Sequence, residues 1–150
     1  MTTALYLTDI TDAISQIIIP GVTVRDYDEV VSSWKAMPYV LYPNPENFMV
    51  ITGISYPSVL QGGNAPVNLT YTLNYRYLAT QIGGDGNVTG WAEMVEKLKE
   101  IIARLLEVDS PYSGLIEMRL GAVTVGAKSD PAGNMYHGAD IALTITEMQN

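Results

Sequence analysis

VNLTYTLNYRYLAT, Val67 to Thr80, is the stretch whose pattern decides the fold. Its odd positions (Val67, Leu69, Tyr71, Leu73, Tyr75, Tyr77, Ala79) are all apolar or aromatic, while the even ones run Asn68, Thr70, Thr72, Asn74 and Arg76. Alternation sustained over so long a run predicts a strand with one side on a core and the other side off it. Water, a ligand and another subunit are the three candidates for what the Asn/Thr/Asn/Arg side meets.

Outward from this strand, Trp91, Met94, Val95, Leu98, Ile101, Ile102 and Leu105 trace one apolar stripe at helical spacing. Thr89 is its expected N-cap, Glu93 with Lys97 and Glu100 with Arg104 its expected ion pairs, and Asp109-Ser110-Pro111 its stop. Leu7, Ile10, Ile14, Ile17 and Ile18 predict a first helix that starts at Thr3 or Thr8 and runs to about Ile19 before Pro20-Gly21. GVTV, MPYVLYP and NFMVITGIS then read as strands, the last two separated by the Pro43-Asn44-Pro45 turn, and YPSVLQGGNAP reads as an exposed loop.

Two strands close the chain. In LIEMRL, Ile116, Met118 and Leu120 face one way, and past Gly121 the apolar set shifts to Val123 and Val125, which predicts a bulge or bend. In GADIALTITE, Ala139, Ile141, Leu143 and Ile145 alternate with polar residues, and Asp130-Pro131 with Gly133-Asn134 predict the hairpin between the two strands. Strands and helices do not alternate regularly, so residues 1–150 are expected to form a single α+β domain: a mainly antiparallel sheet of four to six strands with two main helices packed on one face.

Composition sets the bounds on function. The chain has 150 residues, 47% of them hydrophobic, and no cysteine, which removes disulfides, thiol nucleophiles and thiolate metal sites. No apolar run approaches the roughly 20 residues of a membrane span. The MTTALYLTDI start has no basic region ahead of its apolar residues, so a soluble protein without a secretory signal is expected. A formal charge of −8 disfavours a surface that neutralises phosphates.

No constellation of catalytic residues emerges. His137 is the sole histidine, and with Asp140 it lacks the further nitrogen or sulfur ligands of a transition-metal site; it is expected at a hairpin end, against solvent or a neighbour. No G-x-S-x-G elbow accompanies it. Gly83, Gly84, Asp85 and Gly86 precede a helix, yet they lack the phosphate-binding spacing, and Asp85 would repel an anion. Asp26, Asp28 and Glu29 read as a solvated turn or the acidic start of a short helix. Asn68-Leu69-Thr70 and Asn87-Val88-Thr89 match the glycosylation pattern by chance. Catalytic, cofactor and metal residues are therefore expected to be none. Ten tyrosines stand against one phenylalanine, and Tyr39, Tyr42, Tyr56, Tyr112 and Tyr136 fall in or beside expected turns, where tyrosine suits contact surfaces.

A helix, a PYVLYP strand, a long amphipathic strand, the helix WAEMVEKLKEIIARLLE and a closing hairpin ending GNMYHGADIALTITE together resemble the tail terminator (tail completion) proteins of long-tailed bacteriophages. The likeness spans nearly the whole chain; the extended SYPSVLQGGNAP loop departs from it. The resemblance implies a non-enzymatic virion protein of the tail and neck, made in the host cytoplasm, without cofactor or membrane. It implies a hexameric ring on the last disc of the tail tube protein, which ends polymerisation and docks the head connector or stopper protein, while DNA passes through without specific binding. On that basis Asn68, Thr70, Thr72, Asn74 and Arg76 form the subunit or channel contact face. Another neck component (a head-completion or stopper ring), a tail tube subunit, a small ligand-binding or enzyme domain, and an adaptor that works by strand addition are the alternatives.

Overall fold

The opening stretch forms β4, Val67–Gln81, a central strand of a six-stranded sheet. The computed structural model describes residues 7–30, 36–55, 67–82, 88–107 and 115–149. In chain order the elements are α1 (Leu7–Ser15), β1 (Thr23–Val24), a 3-10 turn (Tyr27–Glu29), β2 (Val40–Pro43), β3 (Met49–Ser55), β4, α2 (Val88–Leu106), β5 (Leu115–Ser129) and β6 (Met135–Gln149). The protein is thus α+β, with the strands in the order β1-β2-β4-β6-β5 and β3 also on β4. Among the described strands β1 and β2 run parallel and every other pairing is antiparallel; β5 and β6 form a hairpin, and α2 lies in the chain between β4 and β5, which flank β6 on either side.

Alternation in β4 becomes burial: Tyr71, Leu73, Tyr75 and Tyr77 are wholly buried, as are Ala139, Ile141, Leu143 and Ile145 of β6. The same cluster takes Ile10 and Ile14 from α1 and Met94, Leu98, Ile101 and Leu105 from α2. Aromatic and β-branched side chains on facing strands bury roughly 1.5–3 kcal/mol of transfer energy each, so this cluster dominates folding. Alternation stops at Leu78 and Ala79, both buried. There the opposite side of the sheet carries a second, smaller cluster of Val30, Ala36, Val40, Tyr42, Leu78 and Tyr136.

β5 bends as expected: its register on β6 shifts between Leu120 and Val123, and a Cβ on Gly121 would sit 3.2 Å from the Ala142 carbonyl oxygen. The hairpin after it closes with Gly133 at φ 94°, a conformation that favours glycine. Asp130 holds that turn by accepting from Asn134 N at 2.8 Å, and it also accepts from Ala36 N at 3.0 Å.

Three local expectations are corrected. Helix α1 ends at Ser15, short of Ile19. The β-branched run Ile17–Ile19 extends instead, a bridge joins Ile19 to Val22 around Gly21 at φ 76°, and so Ile19 is buried while Ile18 is 83% exposed. Thr89 lies inside α2, which begins at Val88, and Thr8 lies inside α1. On α2, Lys97 donates to the Pro20 carbonyl at 2.7 Å and to Glu100 at 3.1 Å, and Arg104 pairs with Glu107, so neither expected four-residue pair forms. Thr3, YPSVLQGGNAP, Gly83 to Asn87 and Asp109-Ser110-Pro111 lie outside the described residues. Among the described residues no helix is long and apolar enough to cross a membrane.

Candidate functional site

Because strand side chains alternate, β4 places Asn68, Thr70, Thr72, Asn74 and Arg76 on the side of the sheet away from the main core, all of them half-buried. Pairing with β6 continues this surface: Thr70 stands opposite Thr146, Thr72 opposite Thr144, Asn74 opposite Ala142 and Arg76 opposite Asp140. The Thr70 and Thr146 hydroxyls are 3.3 Å apart, and Asn74 Nδ2 donates to the Asn47 carbonyl at 2.7 Å. The Asn68 Oδ1 atom is buried without a hydrogen-bond partner.

Arg76 anchors one end of the face. Its Nε and Nη2 donate to Asp140 at 2.7 and 3.1 Å, and its Nη1 donates to the Ser129 carbonyl at 2.9 Å. Asp140 also lies 3.3 Å from Lys128. Burial by itself raises the Asp140 pKa, but the Arg76 hydrogen bonds and the Arg76 and Lys128 charges more than reverse this and hold it below the usual carboxylate range. The same hydrogen bonds hold Arg76 above its ordinary value. Two shallow hollows flank this pair. One of about 230 Å³ is bordered by Tyr42, Asn44, Glu46, Arg76 and Asp130, and one of about 200 Å³ by Asn44, Asn74, Thr124 and Asp140.

The other residues singled out in sequence go elsewhere. His137 is not at the surface: it is buried, with the Trp91 ring edge-on at 4.3 Å and its Nδ1 atom without a partner. It points toward the core because it takes up an odd position of β6, where α2 covers it. Tyr42 and Tyr136 are likewise buried in the second cluster, and Tyr136 donates to the Ala36 carbonyl at 3.0 Å. Tyr39 is 39% exposed, at a left-handed φ of 61°, beside an open groove over Glu93, Glu96, Lys97 and Glu100. Tyr56 and Tyr112 lie outside the described residues. Asp26, Asp28 and Glu29 form a turn with a capping box, and Glu29 pairs with Arg25 at 2.9 Å.

Sequence reasoning missed the environments of two carboxylates. Glu147, wholly buried at an odd position of β6, accepts from the Tyr71 hydroxyl at 2.8 Å. The alternation itself carried that signal, since Glu147 continues the series Ile141, Leu143, Ile145. Burial first, and then the nearby Asp12 carboxyl of α1, push the Asp26 carboxyl up, an environment that no spacing announces. Among the described residues no group of three or more histidine, cysteine or acidic side chains is arranged to hold a metal.

The surface left over is apolar as well as polar. On β3, Val50 is 47% exposed, Ile51 52% and Ile54 59%. Val50 stands opposite Thr72 and so belongs to the polar side, whereas Ile51 and Ile54 stand opposite Tyr71 and Leu69 and belong to the core side. Chemically, the arrangement offers hydroxyls, amides and uncovered aliphatic groups on a rigid sheet, which suits association between macromolecules. No protein-family model and no curated protein matches the chain.

Proposed function

We propose that the protein is a structural, non-enzymatic subunit that associates through its sheet into a closed ring, and that the ring is a tail terminator of a long-tailed bacteriophage. The observation that carries the association is β3, an edge strand with aliphatic side chains exposed on both of its sides. Uncovered aliphatic surface costs about 25 cal/mol per Å², and burial against a second copy recovers it. The order of elements supports the tail terminator assignment. In this reading both helices cover one side of the sheet, and Asn68, Thr70, Thr72, Asn74 and Arg76 meet a neighbouring subunit or line a wet channel. Hydroxyls and amides suit that place because each pairs with protein or with water at little desolvation cost. The acidity of the chain keeps passing DNA from binding.

Native mass spectrometry over a concentration series tests the association. One closed assembly, a hexamer, is expected to dominate at high concentration, and the Thr72→Glu variant is expected to shift it toward monomer without loss of helix or sheet signal. A protein that stays monomeric at every concentration, alone and with tail tube protein, contradicts it.

A further inference from the structure

Resting on the ring proposed above, we infer that its subunits join by strand addition, with the outer edge of β5 in one copy pairing with the outer edge of β3 in the next. β4 pairs with β6 along its length, so β2 and β3 share its other side, β2 level with Tyr75–Leu78 and β3 level with Asn68–Leu73. β3 and β5 therefore lie at opposite edges of the sheet, and among the described residues no strand pairs with the outer side of either. Each leaves a row of backbone donors and acceptors open to a partner chain.

The two edges match. β3 is MVITGIS, 7 residues without charge or proline. β5 holds a stretch of equal length, GAVTVGA (Gly121 to Ala127), also without charge or proline, between Arg119 on one side and Lys128 on the other. Gly121, Ala122, Thr124, Val125 and Ala127 in it are exposed. Proteins that keep an edge from pairing place charges or proline within it, and here the charges bracket the stretch and leave its middle free.

A second copy in this head-to-tail sense is favoured by charge. An antiparallel β5–β5 contact centred on that stretch brings Arg119 of one copy beside Lys128 of the other, and like charges across a pairing destabilise it. β3 has no charge to oppose either. A β3–β3 contact leaves β5 uncovered. Pairing between different edges is heterologous and builds a ring when the rotation between copies closes and an open filament when it does not, whereas pairing of identical edges stops at a dimer. The stretch on β5 pairs with β6 level with Tyr75–Leu78 of β4, whereas β3 stands level with Asn68–Leu73. This offset along the strands is the stagger that closing a sheet on itself requires.

The chain has no cysteine, so cross-linking is free of background. Thr124→Cys with Val50→Cys places both thiols on the polar side, and Val125→Cys with Ile51→Cys or Ile54→Cys places both on the core side. After mild oxidation of assembled protein, at least one double variant is expected to give a ladder of covalent multimers up to ring size, and each single variant is expected to remain monomeric on a denaturing gel. Dimers from a single variant overturn the pairing in favour of a symmetric contact. If rings form but none of the double variants cross-links, the edge pairing fails and the ring stands. If neither oligomers nor cross-links form, both fail.

Discussion

At the scale of single residues, Arg76 shows how a polar face serves structure before it serves contact. Its guanidinium joins β6, through Asp140, to the end of β5, through Ser129. Arg76→Ala leaves Asp140 half-buried with only Lys128, and a loss of about 1–3 kcal/mol in denaturant unfolding is expected. The linked pH dependence follows from Asp140 and Asp130, both held below the usual carboxylate range. For Asp130, burial pulls upward and the hydrogen bonds from Asn134 and Ala36 more than offset it. A depressed carboxylate adds stability that is present above its unfolded pKa, about 3.9, and is lost as pH falls through the lower folded value. Unfolding midpoints from pH 6 down to about pH 2 are therefore expected to decline below about pH 4, and Asp140→Asn is expected to flatten that decline. His137 supplies a second residue-level test. A Cβ on Gly90 would stand 2.9 Å from its Nε2 atom, so Gly90→Ala is expected to destabilise by roughly 1–2 kcal/mol despite the gain of about 1 kcal/mol in helix propensity. In Gly90→Ala with His137→Ala the two losses are expected to be less than additive.

At the scale of elements, what the sequence makes legible depends on whether a side chain's environment is set by its own strand or by distant chain. β4, β6 and α2 could be read directly, since their periodicity is long and the main cluster follows it residue by residue. The bulge near Gly121 and the Asp130–Asn134 turn were equally plain, because glycine admits backbone conformations that other residues resist and proline fixes φ. The end of α1 was not, because an isoleucine run suits helix spacing and an extended chain alike, and the bridge around Gly21 decided between them. The burial of Leu78 and Tyr136 was invisible for another reason: it depends on Val30, Ala36 and Tyr42, far away in sequence, closing over the polar side of the sheet. Packing between elements also constrains Gly138 of β6. A Cβ there would meet the Tyr77 carbonyl oxygen at 2.7 Å and Lys128 Cβ at 3.1 Å, both in neighbouring strands. Gly138→Ala is expected to cost roughly 1–3 kcal/mol by thermal or chemical unfolding, because a backbone atom has to shift to admit it.

For the whole molecule, the sheet has a side packed by the main cluster, a half-buried polar side and two uncharged edge segments, β3 and Gly121 to Ala127 of β5. The five polar residues of β4 could be placed from sequence as one surface, whereas the edges could not, since strand order is not written in periodicity. The resemblance carried by the order of elements led to the proposal of a ring-forming assembly protein, and the exposed aliphatic groups of β3 offer that proposed ring a physical cause. The most direct measurement is negative-stain electron microscopy of the purified protein across a concentration series, with and without tail tube protein. Closed rings of one size with a central hole, seated at tube ends and absent along the tube, are the predicted result. Open tubes built from this protein alone would identify a tube subunit instead, and particles that remain monomeric even with tubes present would contradict the account.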